Sequence, residues 1–162
     1  MKLTIALPAA VLLATLAGAS YAQNPNMAGK WVLNKEKSQG PQAASEVLTY
    51  EVQGDKEHYI VDEVEQDGKK FNTEYSAKLD GKEYPNKNLV TGEVNYVRIV
   101  QKFPRVEELT NVTRVKGADG KETSKVTGRY IRILSVDGKE YTSVLVNPEG
   151  EVTSVRVFDK QP

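Results

Sequence analysis

The stretch KVTGRYIRILSVDGKEYTSVLVNPEGEVTSVRVF, residues 125–158, decides the fold. Apolar and polar residues alternate in three runs within it, and β-branched or aromatic residues are frequent in each run. Two turn sequences, Asp137-Gly138 and Pro148-Glu149-Gly150, separate the runs. Because glycine accepts the positive φ that a tight hairpin needs, we predict three consecutive antiparallel strands. Three strands with one apolar face are about the smallest sheet that is stable on its own.

The same pattern of short alternating runs and glycine turns extends through the rest of the chain. The tripeptide Asp-Gly-Lys begins at residues 67, 80, 119 and 137, each time between two alternating runs. Further strands are predicted at residues 29–34, 46–53, 58–65, 71–77, 93–102 and 106–115, whereas residues 35–45 and 83–92 are predicted to be irregular. No apolar helical period persists for more than about two turns, so we predict an all-β domain of about nine strands.

Sequential antiparallel strands must protect the two edges of their sheet. Closure into a single up-and-down antiparallel β-barrel of about 8–10 strands removes both edges, and we predict this architecture. A two-sheet sandwich is the main alternative, but its crossed strand order usually needs longer connections than most of those predicted here. A barrel of this size has an interior that side chains fill or that holds one small ligand.

The N-terminal residues have the pattern of a secretory signal peptide. A basic start at Lys2, an apolar run over residues 3–17 and small residues at Ser20 and Ala22 predict cleavage after Ala22. The apolar run is shorter than the roughly 20 residues that a membrane anchor needs. We therefore expect residues 1–22 to be removed and residues 23–162 to form one domain in the periplasm or outside the cell.

The composition excludes several kinds of functional site. The chain has no cysteine and a single histidine, so disulfides, thiolate metal sites and multi-histidine metal sites cannot form. Its 22 basic and 22 acidic residues are interspersed, which gives no basic surface for nucleic acid. No phosphate-binding loop, nucleophile elbow or zinc signature is present, so we expect neither a cofactor nor a metal.

Two motifs resemble those of known barrels. Gly29-Lys30-Trp31 is similar to the Gly-x-Trp opening of the lipocalin and fatty-acid-binding superfamily. The string GKWVLNKEKS at residues 29–38 and the pattern Tyr-x-Ala-Lys-x-Asp-Gly-Lys-x-Tyr-Pro at residues 75–85 resemble small secreted bacterial proteins of uncharacterised function. The resemblance implies a lipocalin-like barrel. It also implies a structural pair in which Arg156 stacks on Trp31 at one end, with Arg156 as an anion ligand the alternative.

His58 is the weak candidate for a catalytic base. It lies beside the Gly54-Asp55 turn at a predicted strand start, where a solvated histidine is the favoured interpretation, and Asp62 is four residues along the same face. The acidic residues at positions 62, 63, 65 and 67 are interpreted as solvated surface, with weak cation binding as the alternative. Asn111-Val112-Thr113 matches a glycosylation sequon, but it lies within a predicted strand, so chance is the favoured interpretation.

The candidate ligand-binding residues are tyrosines and arginines on strand faces that could point inward. They are Tyr50, Tyr75, Tyr96, Arg98, Arg129 and Tyr141, with Arg132 or Tyr130 as a further member. A buried arginine needs a partner. We favour outward arginines in salt bridges, for example with Glu108. In the alternative, Arg98 or Arg129 anchors an anionic or phenolic molecule in a tyrosine-lined cavity.

These observations favour a secreted or periplasmic protein that binds a small, partly apolar, anionic or phenolic molecule and catalyses no reaction. The first alternative is a cofactor-free isomerase, lyase or cyclase on the same barrel, with His58 or a carboxylate as base. The second is an envelope interaction or stress protein that uses its outer strands. The position of His58 relative to a cavity distinguishes the binder from the enzyme, and a solid interior would favour the interaction protein.

Overall fold

The computed structural model of the protein describes residues 27–162, so the predicted signal peptide lies outside the described residues. The ten strands are β1 Gly29–Gln39, β2 Ser45–Gln53, β3 Lys56–Val64, β4 Lys70–Lys78, β5 Tyr84–Asn88, β6 Val94–Phe103, β7 Val106–Lys116, β8 Glu122–Leu134, β9 Glu140–Val146 and β10 Val152–Lys160. Within residues 27–162 no helix has the length and apolar character needed to cross a membrane.

The strands form one closed barrel in which every neighbour along the chain is also a neighbour in the sheet. Every pair is antiparallel, and the seam between β1 and β10 closes the ring, with Trp31 opposite Lys160 and Leu33 opposite Phe158. The prediction of an all-β, up-and-down antiparallel barrel is therefore confirmed.

Each of the four Asp-Gly-Lys turns repeats one local structure. The aspartate Oδ1 accepts a hydrogen bond from the lysine backbone N–H two residues later, and the four distances are 2.9, 3.0, 3.1 and 3.1 Å. The glycine between them has a positive φ, from 69° at Gly138 to 84° at Gly68. This geometry joins adjacent strands with very few residues, which is why sequential strands can pair around the whole ring.

Two segments differ from the sequence-based prediction. β5 is a strand that the sequence analysis did not predict, and it lies in the region predicted to be irregular. Its sequence YPNKN has no alternating apolar pattern. β1 continues beyond Asn34 to Gln39, and its register against β10 shifts between these two residues. In the shifted part, the Ser38 hydroxyl accepts a hydrogen bond from the Val157 backbone N–H at 2.9 Å, so a side chain replaces a ladder contact.

The barrel has two unlike ends. The end that carries the β2–β3, β4–β5, β6–β7 and β8–β9 turns, here called the closed end, contains the fully buried Trp31, whose Nε1 donates to the Met27 carbonyl at 3.0 Å. Tyr141 packs beside Trp31, with ring centroids 5.8 Å apart, and Phe158 packs against Tyr141 at 5.5 Å. The opposite end, here called the mouth, carries the β3–β4, β5–β6, β7–β8 and β9–β10 turns.

Candidate ligand-binding cavity

The interior of the barrel contains a cavity of about 220 Å³. Four of its lining residues, Phe71, Glu93, Asn95 and Thr127, are exposed to solvent and lie toward the mouth, so the cavity opens there. The deeper walls are mainly apolar or aromatic and include Leu48, Tyr59, Val97, Leu109, Tyr130 and Phe158. Four amide side chains, Asn86, Asn88, Asn95 and Asn111, also line it. The cavity therefore combines apolar and aromatic walls with neutral amides and with charged side chains.

A buried ionic cluster lies at the bottom of the cavity, and we call Arg132, Glu57, Glu107 and Tyr75 the floor cluster. Arg132 is only 4% exposed, and its Nη1 lies 3.1 Å from Glu57 Oε1 and 3.8 Å from Glu107 Oε2. Its Nη2 donates to the Tyr75 hydroxyl at 2.8 Å, and that hydroxyl donates to Glu57 Oε1 at 2.5 Å. The buried guanidinium is thus paired with carboxylates, as its desolvation requires.

Burial shifts the titration of the floor cluster. Desolvation raises the pKa of Glu107 to about 7, and the charge of Glu57 adds to this effect while Arg132 opposes it. Burial likewise raises the pKa of Tyr75 well above its ordinary value, so the phenol stays protonated and serves as a hydrogen-bond donor. The Arg132 guanidinium also lies 4.8 Å from the centre of the Tyr59 ring, within the range of a cation–π contact.

A second ionic group, the wall triad of Arg156, Glu46 and Glu63, lies along the side of the cavity. Glu46 on β2 and Glu63 on β3 are directly opposite each other in the register. Arg156 Nη1 contacts both, at 2.6 Å from Glu46 Oε2 and 3.3 Å from Glu63 Oε2. One guanidinium therefore separates two inward carboxylates that would otherwise repel each other across the strand pair.

Glu46 is the most buried member of the wall triad, with 5% of its surface exposed. Burial raises its pKa to about 7; the positive charge of Arg156 opposes this effect and the charge of Glu63 adds to it. Burial also raises the pKa of Tyr130, whose hydroxyl lies within the electrostatic influence of the triad. The Glu46 carboxyl group, which faces the cavity, therefore titrates near neutral pH.

The sequence-predicted tyrosines divide into three sets of positions. Tyr75 and Tyr141 line the cavity. Tyr50 points inward but is buried below the cavity, where its hydroxyl donates to the Tyr141 hydroxyl at 2.9 Å. Tyr96 does not line the cavity and packs under Arg114, whose guanidinium carbon is 4.2 Å from the ring centre. A role in ligand binding stays a prediction for Tyr75 and Tyr141.

The two arginines predicted as ligand anchors do not line the cavity. Arg98 pairs with Glu83, with 2.5 Å between Nη2 and Oε1, which agrees with the favoured outward orientation although the partner is not Glu108. Arg129 alternates along β8 with the inward Tyr130 and Arg132, so it belongs to the outward set. The arginines that do line the cavity are Arg132, which was one of two choices at the sequence level, and Arg156.

The structure corrects the predicted stacking of Arg156 on Trp31. Lys160 lies over the Trp31 ring, with its Nζ 5.1 Å from the ring centre, whereas Arg156 points into the wall triad. The two positions differ because β10 pairs with β1 in a register that sets Lys160 opposite Trp31. Arg156, Phe158 and Lys160 follow one another at intervals of two residues along β10, so they share one face of the strand. Arg156 is therefore four residues from the position opposite Trp31.

His58 and most of the acidic run lie outside the cavity. His58 Nδ1 is 2.9 Å from the Ser76 hydroxyl and its Nε2 is 3.5 Å from Glu74 Oε1, and these partners lie on the outer face of β4. Asp62 accepts a hydrogen bond from Asn72. The interpretation of the acidic run as solvated surface is wrong for Glu63, since this residue faces inward and contacts Arg156.

The residues that sequence reasoning missed are Glu46, Glu57, Glu63 and Glu107 and the asparagines of the cavity wall. A usable signal exists for all four glutamates, and Glu107 is two residues from the buried Leu109. Glu46 is two residues from Leu48, Glu57 is two from Tyr59, and Glu63 is two from Val61, so each shares a strand face with a buried residue. Asn111 of the predicted sequon is also a lining residue, which places it on the inner face of β7.

Comparisons with known proteins add no functional assignment. The chain gives no significant match to any protein-family model, to any curated protein sequence or to any solved structure. What the structure establishes is therefore the fold itself, a closed antiparallel β-barrel of ten strands with a cavity that opens at one end.

Proposed function

We propose that this protein is a lipocalin-like binding protein, exported to the periplasm or the medium, that holds one small, partly apolar molecule in its barrel. The observation that carries the proposal is the cavity of about 220 Å³, which opens at the mouth and combines aromatic and aliphatic walls with four amides. Ligand sites of binding proteins are concave and combine apolar walls with polar groups. This cavity is concave and has both kinds of wall, although it is more polar than most such sites, since 12 of its 22 lining residues are polar or charged.

The size and polarity of the cavity limit the ligand. Its volume equals roughly seven water molecules at about 30 Å³ each, which suits a molecule built on a single ring. Drug-sized ligands occupy sites of about 300–1,000 Å³. Both arginines of the cavity already contact glutamates, so they favour a phenolic or neutral guest over an anionic one.

The position of His58 on the outer face favours a binder over an enzyme that uses this histidine. One observation supports the enzyme alternative: the Glu46 carboxyl, with a pKa of about 7, faces the cavity together with Tyr130. General acid–base catalysis works best with a group whose pKa is near the working pH. The cavity counts against the interaction protein, for which we expected a solid interior.

Native mass spectrometry of the protein purified from its own host tests the binding function directly. We expect an additional mass that corresponds to one small molecule per chain, and a matching rise in melting temperature when that molecule is added back. Leu109→Trp, which fills the cavity, should abolish both signals, whereas Thr110→Trp on the outer face of the same strand should leave them unchanged. The absence of a co-purifying mass, together with no thermal shift across a metabolite panel, would contradict the proposal.

A further inference from the structure

We infer that the preferred guest of the cavity is a small protonated amine, whose ammonium group binds at the Glu46–Glu63 pair of the wall triad and whose apolar part fills the aromatic interior. This inference rests on the proposed binding function and specifies the chemical class of the ligand. It runs against the anionic class that the sequence suggested.

The first support is the charge balance of the cavity. Its lining contains three carboxylates, Glu46, Glu63 and Glu93, and two guanidinium groups, Arg132 and Arg156. Arg132 is paired from below with Glu57 at 3.1 Å and lies 3.8 Å from Glu107, so its charge is already met by groups outside the lining. An anionic guest would have to compete with these carboxylates, whereas a cationic guest reduces the excess negative charge.

The second support is the geometry of the wall triad. Glu46 and Glu63 are directly opposite across β2 and β3, and like charges in this position destabilise a sheet. Among residues 27–162, Arg156 is the one cation that forms a salt bridge with both, and each carboxylate uses its Oε2 atom for that contact. The Oε1 atoms take no part in these contacts with Arg156. An ammonium group is compact and carries three donors and no acceptor, which suits this position.

The third support is an acceptor without a donor. Within residues 27–162, two buried atoms of lining residues have no hydrogen-bond partner: the acceptor Asn86 Oδ1 and the donor Arg156 Nε of the wall triad. A buried acceptor that is left unpaired costs free energy, so Asn86 Oδ1 favours a guest that carries a second donor, N–H or O–H, in addition to its ammonium group. The rings of Tyr59, Phe71 and Tyr130 line the same cavity, and aromatic faces attract cations in addition to packing against apolar groups.

A matched series of probes tests the inference. Isothermal titration at pH 8 compares 2-phenylethylamine, 2-phenylethanol, 4-ethylphenol and phenylacetate, which have nearly the same size but differ in charge. We expect the amine to bind at least about tenfold more tightly than the alcohol or the phenol, and phenylacetate to bind weakest of the four. If phenylacetate or 4-ethylphenol binds as tightly as the amine, the inference is wrong although the binding function stands.

Variants locate the amine within the cavity. Glu63→Gln and Glu46→Gln should each reduce the ratio of amine affinity to alcohol affinity by about tenfold, because each removes a carboxylate but preserves size. Glu51→Gln, at an exposed position on the outer face of β2, makes the same change in net charge and should leave the ratio unchanged. The ratio within one variant does not depend on how much of that variant is folded. If Glu51→Gln changes the ratio as much as the other two, the ammonium is not bound at the wall triad. If none of the four probes binds, the inference fails, and the mass measurement on the native protein decides separately whether the binding function fails too.

Discussion

Replacing Glu46 with glutamine should flatten the pH dependence of stability between pH 5 and 8. Burial, opposed by Arg156 and reinforced by Glu63, raises the pKa of Glu46 from 4.5 to about 7 in the folded protein. A carboxyl that holds its proton more tightly when folded stabilises the fold fully below pH 4.5 and loses that contribution as the pH rises through 7. The difference between about 7 and 4.5, at about 1.4 kcal/mol per pH unit, is worth about 3–4 kcal/mol.

Glu107 should make a similar contribution, since burial also raises its pKa from 4.5 to about 7. The free energy of unfolding of the wild type, measured by urea denaturation at pH 5, 6, 7 and 8, should therefore fall about twice as far as that of Glu46→Gln. Glu51→Gln, at an exposed position on the same strand, should keep the wild-type slope. A Glu46→Gln variant with the full wild-type slope would refute the assignment, because Glu46 would then not bind its proton in this range.

Three further substitutions test other parts of the barrel. Arg132→Met leaves two buried glutamates of the floor cluster without their cation and should cost about 3–5 kcal/mol in urea denaturation; a loss below 1 kcal/mol would contradict the ion-pair geometry. Gly40→Ala should lower the melting temperature far more than Gly120→Ala, since both have positive φ but only the first places a Cβ 2.7 Å from the Thr153 carbonyl oxygen; equal losses would show that the contact relaxes. Tyr50→Phe removes one hydroxyl of the buried tyrosine pair and should cost about 1 kcal/mol by urea denaturation, and an unchanged stability would argue against that hydrogen bond.

The fold could be predicted from sequence because its determinants are local. Each Asp-Gly-Lys turn contains both the glycine and the aspartate acceptor that its geometry requires, so neighbouring strands are joined by their own residues. β5 could not be predicted because no apolar alternation marks it, and its pairing is supplied by the strands on either side.

The candidate site was harder to predict because it depends on which face of each strand points inward. Both faces of β6 carry apolar residues, so the sequence of this strand does not show whether Val97 or Arg98 points inward. The pairing of β6 within the closed barrel determines it. In the wall triad, Arg156 binds Glu46, which is 110 residues away in sequence. No local sequence pattern predicts a contact over that separation. The glutamates were visible only as polar interruptions on otherwise buried faces.

The seam between β1 and β10 has a consequence for how the chain acquires its structure. Gln161 donates its backbone N–H to the Lys30 carbonyl at 2.8 Å, so a hydrogen bond connects the start and the end of the described chain. Strands that are distant in sequence pair slowly, because the entropy cost of closing the long loop between them comes before their contacts stabilise the pair. The ring can close only when the last strand is available, and every earlier intermediate has two unprotected sheet edges. Deletion of the final ten residues should therefore leave an open sheet that aggregates. A circular permutant, in which the start of β1 is joined to the end of β10 and a turn at the mouth is cut, should still form the barrel.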